Sequence, residues 1–330
     1  MAANANLHKA KNAKNDEFYT QLTDVAKELM HYKQHFKNKI VFCNCDDPTW
    51  SAFWKYFHLN FEALGLKKLI STYYDKTEPT YKMEYTGGDD NDIEVGVKTP
   101  LEGNGDFRNR ECLDLLDEAD IVVTNPPFSL WREYVQQLIE YDKKFLIIGS
   151  QNAIIYKDIF PLLKENKIWL GYYSGDMKFK VPDYYEPRAT RFWIDETGQK
   201  WRSLGNICWY TNLDIQKRHE KLDLRGNYYR SGDFQKFDNY DVINVGKVAD
   251  VPCDYDGVMG VPITFMNIYN PEQFEILEGS NRYGILNTWG KNDAIREAHS
   301  HGNNINGKAT YFRIHVRNRN PEPRRYQDEN

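Results

Sequence analysis

Asn125-Pro126-Pro127-Phe128, which directly follows the apolar run Ile121-Val122-Val123-Thr124, is the group of residues in this 330-residue chain best suited to chemistry. Its residue types answer one problem. A planar exocyclic amine or carboxamide nitrogen is a poor nucleophile, because its lone pair is delocalised into the ring or carbonyl. An Asn side-chain oxygen and the backbone carbonyl of the next residue can each accept one N–H bond. Together they favour a pyramidal nitrogen whose lone pair points at an electrophilic methyl group. The prolines fix φ and stiffen the turn, so the Pro126 carbonyl can be held outward where no helix begins. Phe128 offers a flat apolar face to a planar substrate. The same quartet could be an ordinary strand-to-helix loop in which Phe128 caps the core. The apolar strand before it and the spacing of Leu130, Tyr134 and Leu138 behind it favour the chemical reading.

A methyl donor needs a pocket beside this turn. The candidate is Cys45-Asp46-Asp47-Pro48-Thr49-Trp50-Ser51, after the first predicted strand. An acidic residue there suits a cationic methionine moiety or its solvent shell, and one after the second strand, Asp75, suits ribose hydroxyls. As alternatives, Asp46 or Asp47 could cap the helix that follows, and Asp75 could be a turn residue.

The elements that must position these residues are legible as periodicity. Val25, Leu29, Tyr32 and Phe36 predict a helix from Asp16 to about Phe36, and Lys39 to Cys45 reads as a buried strand. Phe53, Phe57, Phe61 and Leu64 predict a helix over 50–64, and Leu66 to Tyr74 a second strand. Short alternating runs between Tyr81 and Val97, around Gly87-Gly88-Asp89-Asp90, predict a hairpin. Helices near 109–118, 130–141 and 157–165 then alternate with strands at 120–124, 144–149 and 167–171. Such alternation implies a mostly parallel sheet covered on both faces, whose ligands bind at the carboxyl ends of the strands. Beyond Tyr172 the sequence reads as loop-rich, with a last core strand at Cys208 to Leu213 and a separate module from about 214.

Length allows two domains, and 41% hydrophobic, 28% charged and 15% aromatic residues describe a globular protein rich in Tyr and Phe. No run approaches the roughly 18–20 apolar residues of a membrane span, and the polar N-terminus lacks a signal-peptide core, so a cytoplasmic protein is expected. Of five cysteines only Cys43 and Cys45 lie close together and no His stands at ligand spacing, so reduced thiols are expected and no metal site. The formal net charge of −5 argues against nucleic acid until its distribution is considered. Lys9, Lys11 and Lys14 with His8 form a basic leader, and Arg313, Arg317, Arg319, Arg324 and Arg325 crowd a short segment. Acidic residues gather at Asp89, Asp90, Asp92 and Glu94 and again from Asp114 to Asp120. The basic clusters suit phosphate contacts or a solvated tail equally.

Taken together, these motifs resemble the adenine-specific DNA methyltransferases of the EcoRI modification type, over most of the chain. Asp16-Glu17-Phe18-Tyr19-Thr20-Gln21 resembles that family's motif before the first strand, whose aromatic and hydroxyl residues line the S-adenosylmethionine pocket. Cys43-Asn44-Cys45-Asp46-Asp47-Pro48 is similar to its first cofactor motif. Gly105-Asp106-Phe107-Arg108 resembles the motif in which Asp accepts from the cofactor adenine's amine and Phe packs on its ring. Asn125 to Phe128 match the catalytic motif, and Trp209-Tyr210-Thr211-Asn212-Leu213 and Gly257 to Phe265 resemble its C-terminal half. The glycine-rich turn common in other methyltransferases is replaced by Asp47-Pro48-Thr49-Trp50-Ser51-Ala52-Phe53, a loss this family shares. Asp75 has no support from the resemblance.

The resemblance implies an α/β protein: a Rossmann-like S-adenosylmethionine-dependent methyltransferase core over 1–213, with a basic arm at 1–15, and a C-terminal DNA target-recognition region over 214–330. It implies double-stranded DNA as partner, no metal, a monomer, and a cognate restriction endonuclease acting on the same site. Phe18, Tyr19, Thr20, Asp46, Asp47, Pro48, Asp106 and Phe107, with Asp75 from the strand pattern, are the expected cofactor residues. Lys9, Lys11, Lys14, Arg313 and Arg317 are the expected DNA contacts. A methyltransferase acting on an RNA base or a protein glutamine amide, and a catalytically inactive DNA-binding relative, are the competing readings.

Overall fold

The computed structural model describes residues 18–76, 79–88, 92–231, 234–238, 241–279 and 304–323. Lys9, Lys11, Lys14, Asp16, Glu17, Asp89, Asp90, Arg324 and Arg325 lie outside them. The described elements run α1 (Leu22–Leu29), β1 (Ile40–Cys43), α2 (Ala52–Leu59), α3 (Phe61–Leu64), β2 (Lys68–Thr72), β3 (Tyr81–Tyr85), β4 (Val97–Pro100) and α4 (Arg110–Glu118). They continue with β5 (Ile121–Thr124), α5 (Trp131–Glu140), β6 (Lys144–Ser150), α6 (Phe160–Lys164), β7 (Trp169–Lys180), β8 (Phe192–Ile194), β9 (Lys200–Thr211) and α7 (Tyr228–Ser231). The chain closes with β10 (Val242–Asn244), β11 (Val258–Val261), β12 (Phe274–Gly279), β13 (Asn304–Ile305), β14 (Lys308–Ala309) and β15 (Ile314–Asn318). The described residues fall into two compact units, one within 1–151 and 170–213, the other within 152–169 and 214–330.

The first unit is built on a nine-stranded mixed sheet in the order β4-β3-β2-β1-β5-β6-β9-β7, with β8 paired to β9. The run β2-β1-β5-β6 is parallel, while β3, β4 and β9 are laid on antiparallel. Every residue of β1 and β5 is buried, as expected of parallel strands covered on both faces. Because β1 pairs with β2 on one side and β5 on the other, the chain leaves β1 in one direction and returns in the other. That reversal is the switch point of the sheet, and the Asp46-Asp47 turn and the Asn125 quartet both follow the carboxyl ends of the strands that flank it.

Several predicted boundaries move. The helix foreseen to Phe36 stops at Leu29 and is followed by a single tight turn over Lys33–His35, although Tyr32 and Phe36 are fully buried; their spacing reported burial, not helical continuity. The helix over 50–64 is two, broken at Asn60 (φ −108°, ψ 14°) and closed by Gly65 in the left-handed region (φ 63°). Its first turn is capped by Ser51, whose Oγ accepts the N–H groups of Phe53 (3.1 Å) and Trp54 (3.2 Å), so neither Asp46 nor Asp47 serves as the cap. The stretch beyond Tyr172, read as loop-rich up to the strand expected at Cys208 to Leu213, instead holds most of the 12-residue strand β7 and the first eight residues of the 12-residue β9, whose end coincides with that expected strand. Met177 and Phe179 are buried while Asp176 and Lys178 face out, a period of two that the polar composition disguised.

The second unit carries a four-stranded sheet, β10-β11-β15-β12, and the short β13–β14 ladder. Ile243, Met259, Val261, Phe265, Phe274, Ile314 and Val316 form its core. No helix among the described residues is long and apolar enough to cross a membrane. No group of His, Cys, Asp and Glu among the described residues could hold a metal ion.

Candidate active site

Asn125 leaves the end of β5 with both faces of its amide defined. Its Nδ2 donates to the Phe18 carbonyl at 2.7 Å, so Oδ1 must point the other way. That Oδ1 is buried and has no hydrogen-bond partner. A buried acceptor left unpaired costs about 1–3 kcal/mol, an arrangement that makes sense when a ligand supplies the donor. The Pro127 carbonyl takes the Leu130 N–H at 3.0 Å, whereas the Pro126 carbonyl takes no backbone N–H among the described residues. The helix α5 begins only at Trp131, leaving that carbonyl outside any helical ladder.

Phe128 belongs to a wall of aromatic rings. Phe18 meets it edge-on with centroids 5.4 Å apart, and Phe18 also touches Phe179 at 5.5 Å and Tyr185 at 6.0 Å. Phe179 and Tyr185 were not singled out from the sequence. The alternation Met177-x-Phe179-x-Val181 was the only signal for Phe179, and it needed β7 to be recognised as a strand.

The segment before α1 is fastened to β7 by a reciprocal pair of bonds, Tyr19 N–H to the Lys180 carbonyl (2.9 Å) and Lys180 N–H to the Tyr19 carbonyl (3.1 Å). The Tyr19 ring lies 4.1 Å from Trp50 of the turn after β1. Thr20 Oγ1 is buried without a hydrogen-bond partner.

The two aspartates of that turn behave differently. Asp46 is 4% exposed and points inward. Its Oδ1 accepts the Ser51 hydroxyl at 3.0 Å, its Oδ2 lies against the Thr124 hydroxyl, and the Asn125 N–H also reaches the carboxyl. Burial is the main cause that pushes its pKa up to about 7, with the hydrogen bonds pulling the other way. Asp47 faces outward: its Oδ1 accepts Thr49 N–H (2.9 Å), Thr49 Oγ1 (2.8 Å) and the Tyr81 hydroxyl (3.2 Å). Burial and then the Asp47 carboxylate raise the pKa of that phenol. Pro48, next in the turn, is buried.

Asp75 and Asp106 are brought to one rim by two interlocked loops. The Asp75 N–H donates to the Asn104 carbonyl at 3.1 Å. At Gly105 (φ 71°) a Cβ would stand 1.8 Å from the Tyr73 carbonyl oxygen, so only glycine permits this approach. Asp106 is ion-paired with Arg108 at 2.6 Å, and Arg108 reaches Glu133 at 3.2 Å. Phe107 is 3% exposed and meets Tyr134 edge-on at 5.0 Å. The Tyr134 hydroxyl and Gln137 Oε1 are also buried without partners, while Gln137 Nε2 donates to the Phe107 carbonyl at 3.2 Å. Thus Phe18 to Thr20, Asp46 to Pro48, Asp75, Asp106, Phe107 and the quartet all lie in the first unit.

Arg313 and Arg317 lie in the second unit and are engaged there. Arg313 Nε donates to Asn244 Oδ1 at 3.1 Å, and Arg317 pairs at 3.7 Å with Glu275, its cross-strand neighbour.

The sheet thus brings the Asn125 carboxamide oxygen, the Pro126 carbonyl and the Phe18–Phe128–Phe179 aromatic wall to its switch point. The model of the family described as adenine-specific methyltransferase EcoRI matches residues 6–319. The chain belongs to that family and is an adenine-specific methyltransferase. It is 47% identical over 333 residues to the Type II methyltransferase M.EcoRI of Escherichia coli, covering 96% of this chain and 98% of the relative. It is 39% identical over 319 residues to M.MpnI of Mycoplasma pneumoniae, covering 95% and 98%. The same identity over 319 residues links it to M.MgeORF184P of Mycoplasma genitalium, covering 94% and 98%. No solved structure matches the chain.

Proposed function

We propose that the protein transfers the methyl group of S-adenosylmethionine to N6 of adenine at a specific site in duplex DNA, in a restriction-modification or comparable DNA-modification role. The observation that carries this reading is Asn125: its amide is oriented by Phe18, its Oδ1 is buried and unpaired, and the carbonyl of the next residue, Pro126, takes no backbone N–H among the described residues. A stacked adenine cannot reach that oxygen, so the target base leaves the duplex at a cost of a few kcal/mol. Asn125 Oδ1 and the Pro126 carbonyl then each accept one N–H of the exocyclic amine, which frees its lone pair, while Phe128 provides the stacking face. Neither acceptor is basic, so the extra proton on the methylated nitrogen is released to water.

The residues at the neighbouring strand ends fit the cofactor. The unpaired Thr20 Oγ1 and Tyr134 hydroxyl, the Tyr19 and Trp50 rings, and the carboxylates of Asp47, Asp75 and Asp106 offer both polar and flat apolar partners. When bound, S-adenosylmethionine supplies a methyl group on a positively charged sulfur that is already a good leaving group. We read residues 1–213 as a Rossmann-like methyltransferase core and 214–330 as the region that recognises the DNA sequence. Lys9, Lys11, Lys14, Arg313 and Arg317 are the proposed phosphate contacts, and the protein acts as a monomer alongside an endonuclease of the same specificity.

Labelled methyl transfer to unmethylated genomic DNA, with nucleoside analysis and mapping, tests the reading. N6-methyladenine at one short motif supports it, and methyl on RNA or protein amides instead of DNA overturns it. In single-turnover assays Asn125→Ala should lose on the order of a hundredfold in rate.

A further inference from the structure

We propose that Asp46 is a positioning residue for the methyl-transfer loop, acting as a protonated carboxyl that ties the Thr124 hydroxyl and the Asn125 amide to the N-cap of α2. This inference rests on the reading of the Asn125 quartet as the reaction site. It follows from a count of protons. Thr124 Oγ1 lies against both the Asn44 carbonyl oxygen and Asp46 Oδ2, at shorter than usual separations, yet it owns one proton. A carbonyl can only accept, so Thr124 donates to Asn44. Its contact with Asp46 is then bonding only if the carboxyl donates.

The other oxygen is already served. Ser51 Oγ accepts from Phe53 and Trp54, so its own proton goes to Asp46 Oδ1 at 3.0 Å. The proton therefore sits on Oδ2, and a relay runs from Asp46 to Thr124 to the Asn44 carbonyl across the ends of β1 and β5. The Asn125 N–H on the same carboxyl sets where the quartet leaves β5. Asp46's own carbonyl is held from the other side by the Ser71 hydroxyl of β2. One residue thus fastens three strand ends and a helix start.

The surroundings agree. Among the described residues, the titratable groups that sense Asp46 include Asp47, Cys43 and Cys45 of its own strand and turn, and Tyr134 of α5, none of them a cation. Ser51 of α2 and Thr124 of β5 face it with hydroxyls. The hydrogen bonds from Ser51, Thr124 and Asn125 favour the anion, but burial outweighs them and raises the pKa to about 7. Ionisation removes the relay's first donor, so Thr124 can serve Asp46 or Asn44 but not both, and the quartet loses its fixed exit.

The test is single-turnover methyl transfer at saturating S-adenosylmethionine and duplex DNA between about pH 6.5 and pH 8.5, with cofactor Kd measured at each pH. The wild-type protein, Asp46→Asn, Thr124→Val and Thr124→Ser are compared. The carboxamide of Asp46→Asn is a permanent donor, so the ratio of that variant's rate at the high and low pH should exceed the wild-type ratio at least threefold. Thr124→Val should slow the saturated rate at least tenfold with less than a threefold change in cofactor Kd, and Thr124→Ser, which keeps the hydroxyl, should restore it. An Asp46→Asn protein with the wild-type pH ratio overturns the proposal. So does a tenfold weaker cofactor Kd at every pH with an unchanged saturated rate, because Asp46 would then be a cofactor ligand. The Thr124 pair decides the matter if Asp46→Asn does not fold. Asn125→Ala, run in parallel, separates the two readings: a wild-type rate there removes the quartet itself, whereas a slow Asn125→Ala beside an unaffected Asp46 series removes only the role given to Asp46.

Discussion

Glu28 is fully buried on α1 and is the structural carboxylate whose loss should be felt most. Its Oε1 accepts the Tyr32 hydroxyl (2.7 Å) and the Tyr172 N–H (2.8 Å), and its Oε2 accepts the Tyr173 N–H (2.9 Å), so it pins α1 to the start of β7. Glu28→Gln keeps the shape. One terminal oxygen becomes an NH2 group, and whichever way the amide turns it sets a donor against a backbone N–H. A hydrogen bond to a charged group is worth about 1.5–3 kcal/mol, and the stranded N–H adds part of its desolvation penalty; relief from burying a charge offsets some of this, leaving about 2–4 kcal/mol. For a unit of this size each kcal/mol moves the unfolding temperature by about 2–4 °C, so a fall of roughly 5–15 °C is expected by calorimetry or tryptophan fluorescence. A Cβ at Gly171 would stand 2.2 Å from Glu28 Oε1, so Gly171→Ala perturbs the same contact. The double variant should therefore be less destabilised than the sum of the singles, as expected for coupled sites. Because α1 follows directly on Phe18 to Thr20, cofactor Kd should weaken in parallel. A Glu28→Gln protein within about 0.5 kcal/mol of wild type would refute this account of the α1–β7 junction.

Three further outcomes are expected. The folded-state pKa of Asp46, about 7, stands above its ordinary 3.8, so between those values the folded chain binds more protons and stability falls as pH rises. Relative to Asp46→Asn, which should lack this slope, wild type should lose about 2 kcal/mol between about pH 5.5 and pH 8 in chemical denaturation; parallel curves would contradict it. Gly105→Ala, which places a Cβ against the Tyr73 carbonyl, should separate the loops carrying Asp75 and Asp106 and weaken cofactor binding tenfold or more in a titration. Replacing Lys9, Lys11 and Lys14 with Gln should weaken binding to all duplexes and reduce the slope of log K against log salt by about 0.9 per lost contact, and an unchanged slope would remove them from the interface.

The sequence by itself determined whatever depends on neighbours along the chain. Alternating helical and strand periodicities announced the α/β alternation, and an apolar run ending in Asn-Pro-Pro-Phe announced a stiff turn at a strand's carboxyl end. The order of the motifs announced the family, and the hairpin after β2 followed from its turn residues. Local signals also misled: Tyr32 and Phe36 kept helical spacing without a helix, the polar-rich β7 concealed its period of two, and of β9 only the buried end from Cys208 was legible as a strand. Tertiary structure alone decided which partner each polar group found, because those partners are far apart in sequence. Asn125 is oriented by a carbonyl 107 residues away, and Asp46 meets Thr124 across 78 residues. The identical chemistry of Asp46 and Asp47 could not reveal that one is buried and the other half-exposed. Nor could the sequence mark Glu28 as a buried strut, since its role requires β7 to present two N–H groups at the face of α1. Strand order, with β1 between β2 and β5, brings these distant groups together, and it is set by the packing of the whole sheet rather than by any segment of it.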